Sequence, residues 1–404
     1  MNILHVTPTF WPATYWGGPI VSTYGLCNGV AAIPGTEIRV LTTDAAGPYF
    51  SQRLDVPAWP TLAEGGYDIY YTSRLFGPNV APGLWLRLWN MVRWADIVHL
   101  TAVYSFSTIP TLLVCRLLGK PVVWSPRGSL QPWKGRRRQV AKAIWNRACQ
   151  IIAPSRLILH ATSDAEATAV RKSFPKRETV VVPNGVEIPA QSKRRIDRDI
   201  FRMLFLGRLH PAKGIDNLLQ ACKLLHDSAE FSWALTIAGE GDEAYRRTLQ
   251  EQIGKLGLTS HIVMVDAVAG NRKSALFKSV HVLVLPSHTE NFGIVVAESL
   301  AHATPVIAAT GTPWERVAEK QCGLWVENDP ASLCRAIQAM RALPNVEMGQ
   351  RGRTWMQQEF GWQSQCERMM DVYRRIAMVH PSADIGHRTV PHHIAEEGCR
   401  THGS

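Results

Sequence analysis

The feature that most restricts the fold is an alternation of strand-like and helix-like segments that runs along the chain twice. Short apolar runs recur at Ile3–Thr7, Ile38–Thr42, Ile69–Thr72, Ile97–Leu100, Val122–Ser125 and Val180–Val182, with helical patterns between them. The alternation breaks near residues 190–200, where Pro189, Lys193, Arg194, Arg195, Asp197, Arg198 and Asp199 crowd together. It restarts at Met203–Leu206, Leu235–Ala238, Ile262–Val265, Val282–Leu285 and Val306–Ala308. Apolar strands separated by helices belong in parallel sheets covered on both faces. The pattern therefore predicts an α/β protein with two doubly wound domains, at 1–190 and 201–360, joined by a charged linker at 191–200. A helix at 361–378 follows, and a polar, histidine-bearing tail at 379–404 reads as disordered rather than metal-binding. A length of 404 residues suits two cores better than one. Ligands of such sheets bind beyond the carboxyl ends of the strands, here in the cleft between the halves.

Charge narrows the partners. The formal net charge is +11, which favours anionic partners: nucleic acid, phosphorylated ligands or an anionic membrane face. Of these, nucleic acid is not expected once the motifs below are taken into account. Between Asp96 and Asp164 there is no acid, while Arg116, Lys120, Arg127, Lys134, Arg136, Arg137, Arg138, Lys142, Arg147 and Arg156 fall in that stretch. It is either a solvated basic face or a surface for anionic lipid or a phosphate-bearing substrate. Within Leu84–Trp94, Arg87, Asn90 and Arg93 form a narrow polar stripe on a helix. Burial on most sides is placed ahead of a membrane-interface role for this helix. The eight cysteines include no C-x-x-C pair and read as buried free thiols of a reducing compartment. Residues 1–8 do not have the form of a signal peptide, and no apolar run is long enough to span a bilayer. A cytoplasmic protein, peripheral at the inner face of the membrane, is expected.

The chemistry concentrates at strand ends. Val282–Leu285 runs into Pro286-Ser287-His288-Thr289-Glu290-Asn291-Phe292-Gly293 and then an apolar helix bearing Glu298. A glycine at the helix entry leaves backbone N–H groups open to an anion, and the helix dipole helps. The two carboxylates suit sugar and ribose hydroxyls. Leu204–Gly214 places Arg208 and Lys213 just beyond another strand, where two cations neutralise a diphosphate. Gly17 and Gly18 follow the first strand and permit close approach of a ligand to the backbone.

Glu290 and Glu298, with seven residues between them, form the E-x7-E signature, and here the chain resembles the retaining glycosyltransferases of family 4, which have the GT-B fold of two Rossmann-like domains. The likeness runs from Met1 to about Arg375, and it is to a bacterial polysaccharide-type member of the family. It implies a nucleoside-diphosphate sugar as donor, a carbohydrate or lipid-linked acceptor, no further cofactor and no metal. It implies that Glu290 contacts the transferred sugar and Glu298 the ribose. Asn291, Phe292 and Gly293 would offer backbone amides, Arg208 and Lys213 would clamp the pyrophosphate, and Gly17 and Gly18 would lie near the donor phosphates. Arg208, Lys213 and Glu290 are the residues expected to carry catalysis.

On the acceptor side the resemblance points to His99, Thr101 and Arg127. Family members often read D-I-V-H-x-H where this chain has Asp96-Ile97-Val98-His99-Leu100-Thr101, so Thr101 replaces the second histidine. His99 is expected to be a hydrogen-bonded core residue facing away from residue 101. Arg127 sits in a Ser125-Pro126-Arg127-Gly128 turn that resembles one found in some bacterial polysaccharide glycosyltransferases. Gly239-Glu240-Gly241 resembles a dinucleotide fingerprint but falls at the second turn of its domain and is read as a donor or structural turn. Asp197-Arg198-Asp199 matches a metal-binding D-x-D by chance, in the linker. Two other readings stay open: a sugar-nucleotide epimerase of the same fold, and a partner protein that binds nucleotide sugars without catalysis.

Overall fold

The computed structural model describes residues 1–57, 60–77, 80–131, 139–190, 199–228 and 231–378. Most of the expected linker, the D-x-D residues Asp197 and Arg198, the basic residues Lys134 and Arg136 to Arg138, and the tail from 379 lie outside these residues.

Two sheets form, as the alternation predicts. The first holds β1 (Asn2–Val6), β2 (Glu37–Thr43), β3 (Thr61–Leu62), β4 (Asp68–Thr72), β5 (Ile97–Thr101), β6 (Val122–Ser125), β7 (Leu157–Ala161) and β8 (Glu178–Val181). Their spatial order is β3-β4-β2-β1-β5-β6-β7-β8, parallel except for the short β3 against β4. The second holds β9 (Phe201–Leu206), β10 (Trp233–Ala238), β11 (Ile262–Val265), β12 (Val282–Leu285), β13 (Val306–Ala309) and β14 (Gly323–Val326), in the order β11-β10-β9-β12-β13-β14, all parallel. Central strands such as β5 and β12 are buried at every residue, because helices cover both faces.

The order reverses direction at β1/β5 in the first sheet and at β9/β12 in the second. Carboxyl ends of strands at such a reversal splay their loops apart and leave a crevice. Gly17 and Gly18 follow β1, Thr101 ends β5, and Arg208, Lys213 and Glu290 follow the second pair. The residues singled out in the sequence thus sit at both switch points.

The helix Trp362–Met378 crosses back to the first sheet. Its Cys366, Met369, Met370, Tyr373 and Ile376 join a core with Ile3, Phe10, Leu26 and Val40. It lies along the helix Gly18–Ala31 at very short range. A methyl group added at Gly25 would sit 2.2 Å from Trp362 Cζ2, and one at Gly29 would sit 2.4 Å from Cys366 Sγ. Glycines four residues apart share a helix face, so they make a groove for two side chains that are also four apart. Gly185 closes on the same indole, where a methyl would sit 2.3 Å from Cε3.

The structure alters some sequence expectations. Strands β7 and β14 were not among the expected runs. The helix Pro82–Trp94 is not buried on most sides: only Leu84, Leu88, Met91 and Val92 are, while Trp85, Leu86, Arg87, Trp89, Asn90 and Arg93 are exposed. One stripe at helical spacing suffices to seat it. Seven of the cysteines are free and buried, and burial pushes thiols such as Cys149 and Cys366 up to about 12. No helix among the described residues is long and apolar enough to cross a membrane.

Candidate active site

The loop after β12 is held open by its neighbours. His288 N donates to Ala212 O at 3.0 Å and Glu290 N to Gly311 O at 3.0 Å, which fixes the backbone leading into the carboxylate. Glu290 Oε1 accepts from Lys213 Nζ in a short ion pair and from Ser287 Oγ at 2.8 Å. Lys213 ends a short turn, Pro211–Lys213, that His210 caps by accepting from Ala212 N at 3.1 Å. Burial lowers the His210 pKa, with Arg208 and Lys213 adding to it, so the cap stays neutral and able to accept. Arg208, by contrast, has no hydrogen-bond or ion-pair partner among the described residues. The two cations expected to act alike therefore differ: Lys213 is committed to Glu290, and Arg208 is uncommitted.

Gly293 adopts a left-handed conformation, φ 72° and ψ 55°, that turns the loop into the helix Ile294–Ala301. No side chain caps this helix; Val296 N donates to Gly293 O at 2.9 Å, and the N–H groups of Ile294 and Val295 precede it at the helix start. Phe292 packs in the core against Trp314 and Phe360, and Trp314 Nε1 donates to its carbonyl. Within the helix only Ile294 and Glu298 escape burial, one turn apart on the same face. Glu298 Oε1 accepts from Lys273 Nζ at 2.5 Å. Each carboxylate of the E-x7-E pair is thus matched with its own lysine.

Across the cleft, Gly18 approaches this helix so closely that an added methyl would lie 3.1 Å from Ile294 Cγ2. A second approach joins Gly128, at φ 77°, to Asn291: a methyl there would fall 2.9 Å from the Asn291 Cβ. Asn291 latches the domains, with its Nδ2 donating to Thr162 Oγ1 at 2.9 Å and its carbonyl accepting from Ser163 Oγ at 2.9 Å. Buried Glu166 shapes the receiving turn by accepting from Gly128 N at 2.6 Å and from Thr162 N at 2.8 Å. Arg127 donates to Asn184 Oδ1 at 2.5 Å, and its buried Nε has no partner. Burial lowers its pKa.

Behind Arg127 lies a buried polar network. His99 meets Tyr373 OH at 2.5 Å and Ser125 Oγ at 2.7 Å, Ser125 meets His160 Nδ1 at 2.6 Å, and His160 Nε2 donates to Val182 O at 2.8 Å. His5 stacks on His99 with centroids 4.4 Å apart, and its Nε2 lies 2.8 Å from Thr101 Oγ1. Burial, with Arg127 adding to it, pulls His5 and His160 down to about 3 and drives His99 well below its usual value. The histidines are neutral. His99 is the satisfied core residue expected, but it does not face away from Thr101. Both touch His5, because residues two apart on a strand share a face.

Sequence models place the chain among known proteins. Residues 16–188 match Glycosyltransferase Family 4, and residues 189–355 match Glycosyl transferases group 1. A D-inositol 3-phosphate glycosyltransferase of Frankia alni is 30% identical over 375 residues, 84% of each chain. The chain belongs to glycosyltransferase family 4. A protein of the same name from Geodermatophilus obscurus is 28% identical over 261 residues, 60% of this chain and 57% of that one, so the match spans little more than half of that relative. Among solved structures, sucrose-phosphate synthase from Thermosynechococcus elongatus superposes with TM-score 0.73 at 19% identity, over 93% of this chain and 99% of that one. Anabaena HepE in complex with UDP and glucose gives 0.70 at 16% identity, over 93% and 100%. These likenesses establish the GT-B fold.

For a family 4 glycosyltransferase, several residues at this cleft escaped the sequence reading. Lys273 and Ser287 contact the two glutamates, and Thr162, Ser163 and Glu166 build the receiving turn. Ser287 lies inside the E-x7-E loop and could have been noticed there. Lys273 is 25 residues from Glu298 and carried no local signal.

Proposed function

We propose that the protein is a retaining glycosyltransferase. It moves a sugar from a nucleoside-diphosphate sugar, held by the domain at 201–360, to an acceptor hydroxyl presented by the domain at 1–190. The observation that carries this reading is the Lys213–Glu290 pair beside an uncapped helix N-terminus, with uncommitted Arg208 near it. Anionic diphosphate has three sources of positive potential there: the guanidinium, the ammonium and the helix amides. When the bond from the anomeric carbon to the diphosphate breaks, the leaving oxygen gains charge, and these groups stabilise it most at that point. The acceptor oxygen then bonds to the anomeric carbon on the same face, and its proton passes to the departing phosphate. Glu290 orients the sugar, Glu298 the ribose, and no metal ion is required to meet the charge.

The acceptor we propose is a lipid-linked oligosaccharide in surface polysaccharide assembly, reached by a cytoplasmic protein at the inner membrane face. Support comes from the basic stretch with Arg127 at the cleft, and from relatives whose names specify a phosphorylated acceptor, D-inositol 3-phosphate. HepE, bound to UDP and glucose, supports a uridine donor.

The test is a panel of nucleotide sugars, screened first for thermal stabilisation and then for transfer, with the anomeric configuration of the product read by NMR. The reading expects transfer with retained configuration, undiminished by EDTA and lost in Lys213→Ala and Glu290→Ala. Inverted product overturns the retaining assignment. Epimerised donor without transfer, or binding without either reaction, overturns the transferase assignment itself.

A further inference from the structure

We propose that one outer face of the first domain docks on an anionic lipid bilayer. The face is built by the helices Pro82–Trp94, Thr108–Leu117 and Gln139–Ile152, which pack side by side in that order. It gives the lipid-linked acceptor proposed above a physical means of delivery, and it rests on that reading only for its purpose.

Large apolar side chains stand in the open on all three helices. Leu86 is 83% exposed, Ile144 66% and Leu117 65%, with Trp85, Trp89 and Val140 beside them. Isolated exposed leucines are ordinary on a soluble protein, but a run across three adjoining helices marks a surface made to be covered. The charges on these helices all have one sign. Arg87, Arg93, Arg116, Lys142 and Arg147 fall within them, and not one Asp or Glu does. Apolar residues mixed with cations and tryptophan match the headgroup region of an anionic membrane. There acyl chains receive leucine and isoleucine, the indole rings sit at the boundary, and the cations reach phosphate. A nucleic acid would leave the aliphatic side chains in water.

The face is also firmly held. Trp85 stacks on Phe106 with centroids 4.6 Å apart, Trp145 Nε1 donates to Val103 O at 2.9 Å, and Arg116 donates to the carbonyl of Ile151. These contacts join the three helices to one another and to the loop that leaves β5 for the cleft. The apolar character continues onto the carboxyl edge of the sheet, where Tyr49, Phe50, Leu75 and Phe76 are exposed in the loops after β2 and β4. Fully buried Arg74 ties those loops together by donating to the carbonyls of Gly47, Tyr49, Phe50 and Gln52. That edge is the one bearing Gly17 and Thr101, so the proposed membrane face runs up to the mouth of the cleft.

The experiment is co-sedimentation of the full chain with vesicles of phosphatidylcholine alone and of equal parts phosphatidylcholine and phosphatidylglycerol. The expected result is binding to the anionic vesicles that weakens with salt, and a loss of at least about tenfold in affinity in a Leu86→Glu, Ile144→Glu double variant. The variant positions are open to solvent, and its thermal melt should match that of the parent. Absent binding, equal binding to neutral vesicles, or an unaffected variant overturns the proposal. So does self-association through this face, seen as a dimer by light scattering that the variant abolishes. Transfer to a water-soluble acceptor keeps the two readings apart. If it proceeds equally in parent and variant while neither binds vesicles, the surface fails and the activity stands; if vesicles bind but no donor is ever used, the reverse holds.

Discussion

Replacing Gly25 by alanine should destabilise the first domain, although alanine is the better helix former. In an exposed helix interior the exchange is worth about 1 kcal/mol in favour of alanine. At Gly25 the new methyl would lie 2.2 Å from Cζ2 and 2.5 Å from Cε2 of Trp362. Real contacts of this kind need about 3.4 Å or more, so something must move by roughly 1 Å. The indole has little room to retreat, because its other edge is crowded too: a methyl on Gly185 would lie 2.3 Å from Cε3. Overpacking costs about 1–3 kcal/mol in general, and a methyl forced this close to a ring held by its neighbours belongs in the upper part of that range, about 2–3 kcal/mol. The gain from propensity offsets only part, leaving a net loss of about 1–2 kcal/mol. A control of opposite sign exists in the same chain. Gly254 lies in the helix Glu243–Lys255 with nothing within 4 Å of a would-be methyl, so Gly254→Ala should stabilise. Thermal unfolding followed by tryptophan fluorescence should show a drop for the first variant of about 2–8 °C, at 2–4 °C per kcal/mol for domains of this size. The second variant should hold or rise slightly. If Gly25→Ala melts at or above the parent temperature, the packing argument for the returning helix is wrong.

Other outcomes follow from the site. Lys213→Ala should lower kcat by about 100- to 1,000-fold, the usual cost of removing a group that stabilises a leaving charge, and a change confined to donor KM would refute that role. Glu298→Ala should raise donor KM by about tenfold with kcat nearly unchanged, since a ribose contact is equal in ground and transition states; a kcat loss of that size at constant KM would contradict it. Stability should fall on acidification before the carboxylates titrate. His5 and His160 remain neutral in the fold down to about pH 3 but protonate near 6.5 when unfolded, so stability is full above 6.5 and declines below it, by about 1.4 kcal/mol per pH unit per histidine. Urea unfolding between about pH 7 and pH 5 reads this directly, and a flat profile would mean that the buried network accepts protons. Asn291→Ala should leave donor binding intact while lowering transfer, because it frees the two domains; equal loss of both would place Asn291 in the donor site instead.

Local features were legible in the sequence, and pairings across the fold were not. The loop from Pro286 to Gly293 announces itself through a strand end, a glycine and an apolar helix, all contiguous. That Lys213 commits itself to Glu290 while Arg208 does not is invisible from spacing, since the pair is 77 residues apart. Strand β7 was hidden because Leu157–Ala161 follows closely on the apolar end of the helix Gln139–Ile152, and the two runs merge. Strand β14 is four residues long and begins with glycine, which weakens any strand signal. For the helix Pro82–Trp94, composition obscured periodicity. Leu84, Leu88 and Met91 mark one buried stripe, and the tryptophans off that stripe face outward. The placement of His99 away from Thr101 ran against the two-residue strand period. Nothing local indicates that Tyr373, near the end of the described chain, hydrogen-bonds His99 in the opposite half.

The returning helix has a consequence for biogenesis. A chain emerging from the ribosome completes its N-terminal domain first in the ordinary case. Here Phe10, Leu26 and Cys27 stay uncovered until Cys366, Met369 and Tyr373 have been synthesised. The second core also draws on late residues, among them Met348, Trp355 and Phe360, but it is complete before Trp362. The nascent protein therefore carries this part of its first core without the covering helix through most of its translation. A stop codon before Trp362 would spare the donor half and leave the other without its lid.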